Sequence, residues 1–191
     1  VMIGNETGSS LTTQSENTII GYSAGSNLQD NQSVLFGYKS GFNAQNKNLF
    51  VGSYSGYNIL GEKNIVLGNY DSYSSNVSEI TNIDVDNNIF IGNDSGIESE
   101  GNSNICLGTG AGIQDKGSFN LNIGNYTSSN TKYGTPAIPN VSGSNINLGH
   151  MAGRKSYNNS RTINIGVAAG EESNVNDNIN IGYKTGRIND G

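Results

Sequence analysis

Tryptophan is missing from this chain, and cysteine, histidine and proline are nearly so: Cys106, His150, Pro136 and Pro139 are the full complement. A lone thiol cannot close an intrachain disulfide, so no covalent staple supports the fold, and the compartment stays open because a secreted chain can do without one. Cations are scarce too. Ten Lys and Arg stand against 16 Asp and Glu, for a net charge of -6 and a pI near 4.6. The basic residues are dispersed, which argues against a phosphate-tracking surface and hence against nucleic acid as a partner. No stretch approaches the roughly 18 apolar residues of a membrane span, so no membrane insertion is expected of this segment. The opening "VMIG" lacks a charged and then apolar leader and reads as an excised part of a longer protein.

Hydrophobic residues make up only 33% of the 191, too few for a thick conventional core. What the chain has instead is 27 Gly, abundant Asn, and aliphatic residues at fixed spacing, which separates it from a disordered Gly/Asn-rich segment. Aligned on the Gly that follows an apolar triplet, eleven copies appear, at Gly4, Gly21, Gly37, Gly52, Gly68, Gly92, Gly108, Gly124, Gly149, Gly166 and Gly182. The spacing is 15 to 17 residues except for two gaps of 24 and 25. A helix is excluded by the missing 3.6-residue period.

Within a copy, the residues three and one before the Gly are almost always aliphatic, as in Ile65 and Leu67 or Ile163 and Ile165. Period two marks a short strand. The expectation drawn from it is that both aliphatic residues face inward and the middle residue faces out. Small residues three after the Gly (Ala24, Ser40, Ser55) and a second Gly one later (Gly25, Gly41, Gly56) imply a narrow interior with tight corners. Two short strands and two turns per 16 residues make an all-β solenoid, or β-roll, of about eleven coils. The whole of 1–191 is expected to be one such repeat domain. Asn four before the Gly (Asn48, Asn64, Asn88, Asn104) would align into an amide ladder between coils, a structural role.

A thin coil buries little, and this suggests that copies of the chain lean on one another. On the expected orientation, the outward middle positions form an apolar stripe, Met2, Ile19, Leu35, Phe50, Val66, Phe90 and Cys106, followed by Asn122, Asn147, Asn164 and Asn180. This row is the expected subunit interface, apolar first and then an amide layer.

The phrases "NSNICLGTGAG" (102–112) and "SRTINIGVAAG" (160–170) resemble the left-handed β-roll head repeats of trimeric autotransporter adhesins, and similar Asn/Gly phrases occur in phage and viral fibre proteins. The resemblance implies a parallel homotrimer used for attachment, extracellular, on a bacterial cell surface or a virion surface. Two features depart from it: a somewhat longer coil and two insertions. "IGYSAG" (20–25) also fits the hexapeptide phrase of left-handed β-helix acyltransferases, but three consecutive hexads per coil are required there and one is present here.

Catalytic chemistry finds no material. One His and one Cys far apart make neither a Cys/His pair nor a metal cluster within a chain. "DVDNN" (84–88) opens like a calcium loop but has Ile89 where Gly is needed and Ser95 where a bidentate Glu is needed. No cofactor, no metal and no enzymatic activity are expected. The two copies that lose the second Gly, to Ser72 and Ser128, are the ones followed by insertions, at about 73–87 and 129–144. Insertions in repeat proteins often decorate a binding face. Tyr54, Tyr57, Tyr70, Tyr73, Tyr126 and Tyr133 cluster near them and suit sugar rings or a protein surface. The expected ligand is therefore a host-surface glycan or protein receptor, bound by these tyrosines. A passive trimeric spacer is the alternative.

Overall fold

The computed structural model describes residues 1–29, 31–45, 47–70, 85–129, 143–156 and 159–187. Most of the two insertions, with Tyr73 and Tyr133, lies outside these. The described residues contain no helix and eleven short strands, one for each copy of the repeat: β1 Met2–Ile3, β2 Thr18–Ile20, β3 Val34–Phe36, β4 Leu49–Val51, β5 Ile65–Leu67, β6 Ile89–Ile91, β7 Ile105–Leu107, β8 Leu121–Ile123, β9 Ile146–Leu148, β10 Ile163–Ile165 and β11 Ile179–Ile181. The chain divides into two compact units, Val1–Asn93 and Asp94–Gly191. In each, consecutive strands pair in parallel and in register, so that Leu35 meets Phe50 in the first unit and Asn147 meets Asn164 in the second. The fold is a parallel β-solenoid.

Each coil has one strand where the repeat led us to expect two. The stretch around the second Gly is turn, yet it still bonds coil to coil: the Gly25 amide donates to the Ser40 carbonyl at 2.9 Å, and Gly153 to Ala169 at 2.9 Å. Three corners in most coils hold non-glycine residues at positive φ, such as Lys39 (51°), Asn43 (58°) and Lys47 (57°). This conformation costs an L-residue roughly 1–2 kcal/mol, and the inter-coil ladders sustain it.

The two glycines that recur in most coils do different things. A Cβ on Gly37 would come within 2.3 Å of the Gly52 carbonyl oxygen in the next coil, so the first Gly lets backbones stack at a corner. A Cβ on Gly56 would lie 2.1 Å from the Phe50 ring, so the second Gly vacates the space that the middle strand residue fills.

That contact overturns the expected orientation of the strands. The middle residues point inward: Phe50 is 0% exposed, and Ile19, Leu35, Val66, Phe90, Cys106, Asn122, Asn147, Asn164 and Asn180 are all buried within their own chain. Met2, in the first coil, is the exception. A three-residue strand sends one side chain to one face and two to the other. The coil interior has room for the single one, because Asn or Ser, small residues and the second Gly close it from the other sides. The flanking aliphatic residues, more numerous but on the opposite face, are the ones left outside; Phe36 is 53% exposed.

The Asn row four before the Gly is buried over most of its length, and its amides bond to one another as expected between Asn64 Nδ2 and Asn48 Oδ1 and between Asn88 Nδ2 and Asn64 Oδ1, both at 3.3 Å. Shorter bonds run to the backbone: Asn48 Oδ1 accepts from Asn64 N (2.8 Å) and Asn104 Oδ1 from Asn120 N (2.9 Å), while Asn48 Nδ2 donates to Gly61 O (2.9 Å). The amide completes the backbone ladder where the chain enters each strand.

Candidate interaction surfaces

Three surfaces or columns bear on function: the outer face of the strands, an aromatic row beside it in the first unit, and the polar interior of the second unit. The outer strand face carries two aliphatic residues per coil. In the first unit Val34, Phe36 and Ile91 are exposed on it, and in the second Ile105, Ile123, Ile146, Ile165 and Ile179. Leu49, Val51, Ile65 and Leu67, between these strands, are half-buried. Isolated exposed aliphatics are ordinary, but rows that recur along the strands of each unit form apolar strips of the kind that meets another surface. The row assigned to the interface from sequence cannot serve, since its side chains are enclosed. The residues one position either side of it can.

The tyrosines proposed as a ligand surface do not assemble as expected. Tyr70 is buried and unavailable. Tyr126, in the second unit, is half-buried with its ring edge-on to His150, centroids 6.5 Å apart. Among the described candidates, Tyr54 and Tyr57 belong to a larger group that also holds Tyr22, Tyr38 and Phe42. Tyr22 and Tyr38 stack at 5.7 Å with their planes 16° apart, Tyr38 meets Tyr54 edge-on at 5.2 Å, and Phe42 stacks on Tyr57 at 4.9 Å. The Lys39 ammonium lies about 5.5 Å from the Tyr38 ring centre and 5.6 Å from that of Tyr54. Desolvation, and then a hydrogen bond with Tyr38, raise the Tyr54 phenol above its usual pKa. Their spacing in the repeat was a usable signal: Tyr22 and Tyr38 follow the first Gly directly, and Phe42 and Tyr57 each follow the second. Stacked on one another, Tyr22 and Tyr38 spend ring faces on each other and turn edges outward, a poorer platform for a sugar ring than a lone exposed tyrosine.

The second unit's interior departs from the first. Its middle column is Asn122, Asn147, Asn164 and Asn180, linked head to tail: Asn180 Nδ2 donates to Asn164 Oδ1 (2.8 Å), Asn164 to Asn147 (2.7 Å) and Asn147 to Asn122 (2.9 Å). Asn122 Nδ2 ends the chain on the Asp115 carboxylate (3.3 Å), with Cys106 Sγ at 3.5 Å. Burial pushes the Cys106 thiol up to about 12, so it stays protonated and unreactive. Further along the same unit, the buried Glu171 is enclosed between Arg154 and Arg187, and Lys155 pairs with Glu172 at 2.7 Å. Among the described residues no cluster of His, Cys, Asp and Glu could hold a metal ion. No protein family, no curated protein and no solved structure matches the chain.

Proposed function

We propose that the chain is a non-catalytic structural and adhesive segment of a surface fibre, in which copies associate through the outer strand face. The observation that carries this reading is the outer strand face, which bears an exposed aliphatic or aromatic residue in β3 and in β6 to β11 and half-buried aliphatic residues in β4 and β5. Burying such a strip against its counterpart on sister chains offsets the small burial that one narrow coil achieves alone. Three parallel copies is the number that the resemblance to trimeric adhesin heads implies, and it would place the fibre outside the cell, on a bacterial or virion surface. The attachment surface would then lie on the sides turned away from the interface, where the aromatic row and the insertions are candidates for contact with a host glycan or protein receptor.

The test is solution mass by light scattering or sedimentation. The native chain is expected at three times 20.1 kDa, and a variant with Phe36→Glu and Ile165→Lys at one. A native chain that runs as a single subunit at micromolar concentration overturns the proposal. A passive spacer is the second reading, favoured by the self-stacked Tyr22 and Tyr38 rings. Binding of the intact oligomer to glycan arrays or host cells separates the two, since a spacer binds neither.

A further inference from the structure

Among the described residues two carboxylates are wholly enclosed. Glu171 is held by arginines on either side. Asp115 makes no ion pair: Lys116, its chain neighbour, turns instead to Glu100. What surrounds Asp115 is neutral. Gly117 N donates to Oδ1 at 3.0 Å, while Asn120 Nδ2 (3.3 Å), Asn122 Nδ2 (3.3 Å) and Ser128 Oγ (3.2 Å) all donate to Oδ2. Ser99 Oγ and Glu100 N occupy its backbone carbonyl. On β7 the one titratable side chain is the Cys106 thiol, which burial chiefly and Asp115 to a lesser degree keep protonated.

The amide column makes this position special. Every Nδ2 in the ladder donates toward the lower-numbered coil, so the ladder has a polarity, and its leading donor, on Asn122, needs an acceptor where the apolar column begins. Cys106 is a weak one. Asp115 supplies it from the opposite wall, in a slot that holds Ser99, Ser156 and Ser173 in other coils. In the next coil, that of Asn122, Ser128 replaces the second Gly, and the Ser128 hydroxyl is the part that reaches back to Asp115.

The geometry points to Asp115 as a proton-operated lock at the head of the amide column. Ionised, it accepts from four donors and anchors the ladder, but holds an uncompensated charge in the interior. Protonated, it loses that charge and donates its new O–H to Ser128 Oγ, the one of the four partner groups able to turn from donor to acceptor. Burial is the larger influence and pushes the carboxyl up to about 7 from an ordinary 3.8, against the opposing bonds from Gly117, Ser128 and Asn122. The sign follows. A folded pKa above the unfolded one means the folded state binds the proton more tightly. The contribution to stability is then fully present below about 3.8, is lost as pH rises to about 7, and is flat beyond. The second unit therefore tightens on mild acidification. Glu172 and Asp177, lowered by hydrogen bonds from Lys155 and Arg161, act with the opposite sign and in a more acidic window.

The experiment compares the unfolding constant of the full chain from pH 4 to 8, at fixed protomer concentration, with Asp115→Asn and Asp115→Ser, the latter using the side chain found in that slot elsewhere. Relative to either variant, the native constant is expected to rise about a thousandfold over the range, since the interval from 3.8 to about 7 is worth tenfold for each pH unit. In parallel, carbon-13 NMR of the native chain should find the Asp115 carboxyl titrating near neutrality. Profiles that run parallel, or a carboxyl that titrates below 4, overturn the lock; if neither variant folds, the native titration decides.

Discussion

Replacing Asn164 with leucine tests whether the interior amides act as one linked system. Asn164 is 1% exposed, donates to Asn147 Oδ1 at 2.7 Å and accepts from Asn180 Nδ2 at 2.8 Å. Leucine leaves both partners without that bond, at roughly 1–3 kcal/mol for each buried group, and recovers about 2 kcal/mol through its own burial. A net loss of up to about 4 kcal/mol follows from these two figures. The space is not the obstacle, because Gly170 faces Asn164 as Gly41 faces Leu35 in the first unit. Converting Asn147, Asn164 and Asn180 together removes the interior of the ladder at once and strands one buried group, Asn122 Oδ1, at about 1–3 kcal/mol, with the half-buried Asn178 Nδ2 losing its bond to Asn180 Oδ1, against three buried leucines. The triple variant is therefore expected to be more stable than the single one, and close to or above the native chain. Urea denaturation followed by far-ultraviolet circular dichroism, at fixed protomer concentration, ranks the three. If the triple variant loses about three times what the single one loses, the amides contribute independently and the reasoning from a linked column is wrong.

Gly56→Ala should cost about 2–5 kcal/mol, combining overpacking against the Phe50 ring with an alanine at φ 66°; adding Phe50→Leu should return part of the loss, and a denaturation cycle of the four proteins measures the coupling. Ser103 sits at φ 59° on a corner, so Ser103→Gly should be neutral or stabilising by up to about 1 kcal/mol and Ser103→Val destabilising by about 1–2 kcal/mol, a split that thermal unfolding resolves. The thiol of Cys106 should resist alkylation in the folded chain at pH 8 and react only on unfolding, because it is enclosed and held protonated.

Much of the solenoid could be read directly from residue spacing. Eleven Gly-centred phrases became eleven strands, and the periodic pairs around Ile65 and Leu67 lie in the strand they implied. What failed was the choice of face. In a strand of three, the flanking pair outnumbers the middle residue and is the more uniformly aliphatic, so counting apolar residues selects the wrong side. The decisive clue lay elsewhere in the coil: a glycine six residues after the middle position, opposite Phe50 as opposite Asn164, marks the place where a side chain must be admitted. The Asn run from 122 to 180 also pointed outward on polarity alone. Only stacking, which lets each amide satisfy the next, makes it an interior. The aromatic row escaped because proximity to the insertions was given more weight than the repeat slot that Tyr22 shares with Tyr38.

The internal copies act as a substitution series performed on one backbone, and the series separates two kinds of apolar residue. At the middle position the chemistry changes from Phe90 and Cys106 to Asn122 and Asn147 while the fold of the coil persists, because an enclosed column tolerates any side chain that fits and is satisfied by its neighbours. At the flanking positions the chemistry barely changes: Ile105 and Leu107, Leu121 and Ile123, Ile163 and Ile165 stay aliphatic through coils whose interiors have turned to amide. Burial within one chain would produce the reverse, a constant interior and a variable exterior. Solvent alone gives no physical reason to hold isoleucine on an outer face in coil after coil, since contiguous exposed apolar surface is rare on a chain that meets only water. A covering surface does give one, and under the proposed function that surface is a copy of the same strip, with the same spacing between coils.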